Sequence, residues 1–314
     1  MSNTERILIT GASGQLGVEL TMHLRARHGA DNVIATDVRD NKAVSGTGPF
    51  EQLDVLDSDS LAAMVRRHRI GTIYHLAAIL SAKGEADIRW TWKLNMDGLL
   101  NVLELARDEG AAASTRMEIF WPSSIAVFGP DLPRENTPQE CPLNPTTVYG
   151  ITKLAGEQLC AYYHRKFGVD VRSLRFPGLI GNKSEPGGGT TDYSVDMLRA
   201  AAAGESFVCP VRPETRLPMM YMDDAVRAAT DLMDADGSKL RVRSSYNITA
   251  MSFSPKELLD AIRAHVNGFD VAYRPDHRAE IASSWPDSID DSAARRDWGW
   301  EPKFDLPDMV REML

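Results

Sequence analysis

Residues 6–17 read Arg6-Ile7-Leu8-Ile9-Thr10-Gly11-Ala12-Ser13-Gly14-Gln15-Leu16-Gly17. The run from Arg6 to Thr10 is short and apolar, as a buried strand is, and Leu16, Leu20 and Leu24 then recur every four residues, a helical period. Between them lies Gly-x-x-Gly-x-x-Gly, so the order is strand, glycine turn, helix. Glycine tolerates the angles of a tight turn and lets a ligand approach the main chain. A pyrophosphate on such a turn would rest against the free N–H groups at the positive end of the helix. Gly11, Gly14, Gln15, Leu16 and Gly17 are therefore expected to hold a dinucleotide.

The alternation continues outward. Asn32–Thr36 is a second strand ending in Asp37, whose carboxylate can accept both hydroxyls of an adenosine ribose and would repel a 2′-phosphate. NAD is favoured over NADP, although Arg39 nearby leaves some room for the latter. Phe50–Val55 is a third strand, with Asp54 placed for the adenine amino group and Val55 for its face. A helix from Ser58 to His68 follows, with Ser58 as its N-cap. Thr72–Ala78 is a fourth strand, and Leu76, Ala77 and Ala78 at its end let a ligand approach; His75 within it reads as a core histidine. Ile88–Arg107 is helical and contains Asn95; Asp108-Glu109-Gly110 ends it, and an alanine-rich linker leads to a fifth strand, Met117–Trp121. Val169–Phe176 is the sixth. This pattern predicts an α/β fold, a Rossmann-type doubly wound parallel sheet. The expected division is a dinucleotide domain over 1–177, revisited at about 217–249, and a smaller C-terminal substrate-binding lobe over 178–314.

Tyr149 and Lys153 stand four apart on one helix face, within contact reach. A phenol ordinarily loses its proton near pH 10, and an adjacent ammonium lowers that value, so the pair can act as a base. Ser124 follows the fifth strand, where parallel sheets place their ligands, and its hydroxyl can donate to a substrate oxygen. In the second half, Gly187–Tyr193 is either a plain flexible loop or a substrate cradle in which Thr190, Thr191 and Asp192 present polar groups. Asp223 is expected to cap the helix it begins, Tyr246–Thr249 reads as a strand, and Ser254–Val266 as a capped amphipathic helix.

Composition bounds the function. The chain has 314 residues, 43% of them hydrophobic, enough for a large core. A formal net charge of −9 with no offsetting basic block argues against nucleic-acid binding and for a small-molecule substrate. Three cysteines without CxxC spacing suit reduced thiols in the cytoplasm. Seven histidines show no ligand spacing, so no metal is expected. Neither a signal-like N-terminus nor an apolar run of about 18 residues is present, so no membrane association is expected.

With the glycine turn, Asp37, Asn95, Ser124 and Tyr149/Lys153 together, the chain resembles the extended short-chain dehydrogenase/reductases and their sugar-nucleotide epimerase branch. The strings PSSIAVFGP (122–130), TVYGITKLAGE (147–157), PGGGTTDYSVDMLRAA (186–201) and SWP (284–286) are similar to those of the metal-independent L-threonine 3-dehydrogenases in that superfamily. That resemblance implies oxidation of L-threonine to 2-amino-3-ketobutyrate by NAD, with Tyr149 as base, Lys153 lowering its pKa and Ser124 orienting the hydroxyl. It adds Leu179 to the cofactor site and places threonine near Ser81, Ser124, Tyr149, Thr190, Thr191, Asp192 and Trp285. It also implies a homodimer through Ile88–Arg107 and Tyr149–Phe167. Two alternatives remain. A nucleotide-sugar 4-epimerase or dehydratase needs a larger pocket and cations for a diphosphate, for which Arg212, Arg216, Arg274 and Arg278 are available. A non-catalytic dinucleotide sensor would keep its function when Tyr149 is replaced by Phe.

Overall fold

The computed structural model describes residues 6–113 and 117–314, and their side chains except those of residues 110–113. Twelve strands occur among these residues: β1 (Arg6–Thr10), β2 (Val33–Asp37), β3 (Phe50–Gln52), β4 (Ile70–His75), β5 (Glu118–Ser124), β6 (Asp170–Phe176), β7 (Gly178–Ile180), β8 (Phe207–Cys209), β9 (Leu217–Tyr221), β10 (Tyr246–Asn247), β11 (Met251–Phe253) and β12 (Val271–Tyr273). Seven of them form a parallel sheet in the order β10-β6-β5-β4-β1-β2-β3. The chain winds outward from β1 to β3, then returns to β4 on the other side of β1. The switch point between β1 and β4 is where a doubly wound sheet opens a crevice at the carboxyl ends of its strands.

Both faces of this sheet are covered, because its strands are apolar on both sides. Ile9 of β1 packs with Leu20 and Leu24 of the helix Gln15–His28 and with Ala225 and Leu232 of the helix Met222–Asp234. Leu8, one residue earlier, points the other way, into a cluster with Leu61, Leu99 and Val102. A separate core joins Met197, Leu198, Phe253, Leu258, Ile262 and Met309. Around it lie a three-stranded sheet, β11-β9-β7, and the parallel pair β12-β8. Of the segment 217–249, β9 belongs to this smaller sheet, whereas β10 pairs with β6 of the large one.

Several local expectations change. The cap of the helix Ser58–His68 is Asp57, whose carboxylate accepts the Ser60 N–H, because the chain turns one residue before Ser58. Asp223 is no cap: it lies in the first turn, and Asp224 beside it accepts the N–H groups of Lys303 and Phe304. The alanine stretch after Gly110 is helical to Ala113, in keeping with alanine's helix preference, and the rest of the expected linker lies outside the described residues. Ile88–Trp92 and Gly98–Ala113 are α-helical, but Lys93–Asp97 between them winds as a wider π turn. The third strand stops at Gln52, so Asp54 and Val55 lie beyond it. Among the described residues no helix is long and apolar enough to cross a membrane, and no group of three or more His, Cys, Asp or Glu is placed to hold a metal ion.

Candidate active site

The glycine turn is tight enough to exclude other residues. Gly11 has φ +70°, and a Cβ there would lie 2.6 Å from the Ala77 nitrogen. A Cβ on Gly17 would lie 2.4 Å from the Gly11 carbonyl oxygen. Gly14 starts the helix Gln15–His28 without a side-chain cap, which leaves first-turn N–H groups for a ligand. Gln15 contributes a buried Nε2 without a partner. At the end of β2, Asp37 Oδ2 accepts the Ser13 N–H at 3.1 Å and Oδ1 accepts the Arg39 N–H at 3.1 Å, which ties the loop to this carboxylate. A turn that only glycine fits, open N–H groups and an orphaned amide together suit a dinucleotide pyrophosphate.

A cleft of about 360 Å³ opens here. It brings together Gly11, Gly14, Gln15, Leu16, Gly17, Leu76, Ala78 and Leu179 with Ser124, Tyr149 and Lys153, and with Ser81, Thr190, Thr191, Asp192 and Trp285. Asp37, Asp54, Val55, Ala77 and Asn95 are not among its lining residues. Asp54 instead accepts the Leu56 N–H, Ala77 backs the Gly11 turn, and Val55 is buried. Asn95 sits in the π turn, a feature frequent at functional sites. Its Oδ1 accepts the Ile79 N–H at 2.8 Å, and its Nδ2 donates to the Ile79 carbonyl and to Thr152 Oγ1. Asn95 thus pins the loop after β4 to the helix that carries Tyr149.

That helix, Val148–Phe167, is capped by Thr147, whose hydroxyl accepts the Gly150 N–H at 3.0 Å. Burial pushes the Tyr149 phenol up to about 12, and the nearby Ser124 hydroxyl works against this. Burial also brings the Lys153 ammonium down to about 7. In the resting pair burial outweighs any lowering of the phenol by Lys153. Its Nζ donates to the Pro122 carbonyl at 2.5 Å and stands 5.5 Å from the Tyr149 ring centroid, with no hydrogen bond to the phenol among the described residues. Desolvation dominates both groups.

Elsewhere along the cleft, Ser81 Oγ lies 3.0 Å from Thr190 Oγ1 and accepts the Thr190 N–H at 3.2 Å. Asp192 Oδ2 accepts the N–H groups of Gly188 and Gly189, each at 2.8 Å, and folds the glycine loop back on itself. Burial raises the Asp192 pKa, and those two N–H groups oppose it. The loop is thus held by its own hydrogen bonds, with Gly188 at φ +95°. Trp285 is 4% exposed and also lines the cleft.

Lys83, Ser123 and Phe176 also line the cleft and were not expected there, and Arg39, noted near the adenosine ribose, lines it too. Lys83 packs against the glycine loop, since a Cβ on Gly188 would lie 2.5 Å from its Cε, and its charge acts on Asp192. The four arginines considered for a diphosphate do not line the cleft; Arg216 pairs with Glu257 and Arg278 with Asp276. His75 is buried, with Nδ1 2.8 Å from Thr10 Oγ1, and burial brings it down to about 3.

The profile of the NAD dependent epimerase/dehydratase family matches residues 7–249. An uncharacterized epimerase/dehydratase of Staphylococcus haemolyticus is 47% identical over 313 residues, 99% of this chain and 96% of that one. The GalE-like L-threonine dehydrogenase from Cupriavidus necator, in its holo form, superposes with a TM-score of 0.94 at 52% identity, covering 98% of each chain. A monomeric L-threonine 3-dehydrogenase from a metagenome superposes at 0.93 with 48% identity, over 98% of this chain and 97% of its own.

Proposed function

This chain belongs to the NAD dependent epimerase/dehydratase family, and we propose that within it the protein is an L-threonine 3-dehydrogenase, oxidising L-threonine to 2-amino-3-ketobutyrate. The cofactor is NAD. Gly11, Gly14, Gln15, Leu16 and Gly17 would hold its pyrophosphate, Asp37 its adenosine ribose, Asp54 and Val55 its adenine, and Lys153 its nicotinamide ribose. Leu76, Ala77, Ala78 and Leu179 would line its path, with Asn95 bracing the loop. When bound, NAD supplies the acceptor for the hydride that leaves Cβ of the substrate.

The chain's own residues handle the proton. Ser124 orients the substrate hydroxyl while Tyr149 removes its proton, and Lys153 stabilises the resulting phenolate. Ser81, Thr190, Thr191 and Asp192 offer hydroxyls and one carboxylate to a small zwitterion, and Trp285 closes the apolar side. The observation that carries this reading is the single cleft that brings the small polar side chains of Ser81, Thr190, Thr191 and Asp192 together with Ser124, Tyr149 and Lys153. A nucleotide sugar needs cations for its diphosphate; Arg212, Arg216, Arg274 and Arg278 lie elsewhere, and besides Lys153 the cations that line the cleft are Arg39 and Lys83. The test is NADH formation by the purified protein. Turnover is expected with L-threonine and NAD, and little with NADP or UDP-sugars. A protein that binds NAD yet leaves threonine unchanged and converts a UDP-sugar would overturn the assignment.

The proposed division puts the cofactor on residues up to 177, with a return at about 217–249, and the substrate on 178–314. We place the protein in the cytoplasm, which suits its free Cys141, Cys160 and Cys209. A homodimer through the helices around Ile88–Arg107 and Val148–Phe167 is supported by the exposed Ile88, Leu100, Ile151 and Tyr162. Ile151 and Tyr162 share one stripe of their helix. Ile151→Glu is therefore expected to convert a dimer to a monomer in analytical ultracentrifugation. A wild-type protein that is already monomeric at micromolar concentration sinks this arrangement.

A further inference from the structure

We propose that Trp121 is a positioning residue for Lys153, its indole face keeping the buried ammonium charged and directed at the Tyr149 ring. The proposal rests on the role given to Lys153 above. Lys153 Nζ lies 4.5 Å from the Trp121 ring centroid, inside the range of about 6 Å over which a ring face attracts a cation. The residue is 3% exposed, and no carboxylate forms a salt bridge with it among the described residues. At close range its charge is met by one neutral carbonyl, that of Pro122, and by π density, while the Glu157 carboxylate acts on it from beyond salt-bridge distance. An ammonium taken out of water with so few partners tends to lose its proton. The ring face therefore holds a charge that burial would otherwise remove.

Trp121 is held from behind as well. It lies on β5, and a Cβ on Gly156 would come within 2.4 Å of its ring, so Gly156 lets the indole pack closely against the helix Val148–Phe167. Lys153 and Gly156 are one turn apart on that helix, which grips the ring with one residue and presents the cation to it with the other. The titratable groups around Lys153 are Tyr149, Glu157 and Cys160 on its own helix and His75 from β4. Glu157 is engaged by Arg175 and Ser123, His75 is neutral at physiological pH, and burial holds the Cys160 thiol protonated. None of them replaces the ring as a close partner for the ammonium.

The test is NAD affinity as a function of pH, measured by calorimetry on the full-length protein with tryptophan at position 121 replaced by progressively fluorinated tryptophans. Fluorine drains the π face while leaving the ring's shape, so a failure to fold does not confuse the result. Wild-type affinity is expected to weaken above about pH 7 as Lys153 loses its proton. The break should move down through the series, by about one pH unit for the most fluorinated ring. Trp121→Phe, which keeps a π face, should retain the break within about half a unit, and Lys153→Met should abolish it. A break that stays in place across the series, or that persists in Lys153→Met, overturns the proposal. No threonine enters this measurement, so failure of the threonine assignment leaves it readable. Full threonine turnover with an unmoved break would reject Trp121 alone.

Discussion

Tyr149→Phe is expected to lower kcat/KM for threonine oxidation by about 10³-fold, the scale of a lost general base, while NAD affinity stays within about twofold. The phenol touches the proton in flight, and its ring packing is conserved by Phe. The pH dependence follows from counting protons. The productive pair is an ammonium beside a phenolate, which carries the same number of protons as a neutral amine beside a phenol. With Lys153 near 7 and Tyr149 near 12, the free protein reaches that proton count once the pH passes about 7 and keeps it until about 12. Below about 7 both groups are protonated, so kcat/KM should climb tenfold per pH unit and then level off. Lys153→Met removes the first proton from the count, and the rise should then continue through the neutral range toward the phenol's own raised value. A bell centred on neutral pH, or a Tyr149→Phe enzyme with more than about a tenth of wild-type activity, would exclude Tyr149 as the base.

The large sheet could be read from local pattern because its strands are buried on both faces and separated by helices of clear period. Arg6–Thr10, the glycine turn and Leu16, Leu20 and Leu24 carry their own geometry, and the strand, turn and helix stand there as written. Ser124, Tyr149 and Lys153 converge for the same reason, since strand ends of a parallel sheet share one edge. What the sequence conceals depends on contacts between distant segments. Trp121 meets Lys153 only after β5 and the following helix pack together, and no spacing rule links them. Lys83 reaches the cleft because Gly188 leaves room for its stem. The extra residue in the π turn at Asn95 leaves no signal in an ordinary helical period. The electrostatics of the Tyr149 and Lys153 pair also escaped, because spacing reports proximity whereas burial decides their pKa values. At Ser58 the cap moved to Asp57 because either residue can cap, and the path of the chain decides between them.

The second large effect concerns stability and lies one turn beyond Lys153. Glu157→Ala is expected to destabilise the protein by about 3–5 kcal/mol, because it strands a buried arginine. Arg175 donates to Glu157 Oε1 and Oε2 at 2.9 and 2.8 Å, and the two side chains are 4% and 0% exposed. Burial works to lower the Arg175 guanidinium, and the Glu157 carboxylate more than reverses that. The rest of the guanidinium donates to the Gln139 carbonyl and Asn247 Oδ1, neutral acceptors that cannot balance a charge. A drop of about 5–15 °C in Tm should follow, read by circular dichroism. The double variant Glu157→Leu with Arg175→Met should recover much of the loss, since an apolar pair of similar volume avoids the desolvation of both ions. Stability and chemistry then separate. Ser123 Oγ donates to Glu157 Oε1 at 2.6 Å, and Ser123 lines the cleft beside Ser124. The double variant should therefore regain its melting temperature but not its full turnover, because the hydrogen bond that fixes the end of β5 is still missing. Recovery of both together would assign the pair to folding alone, and a single variant that loses less than about 1 kcal/mol would mean that water already reaches Arg175.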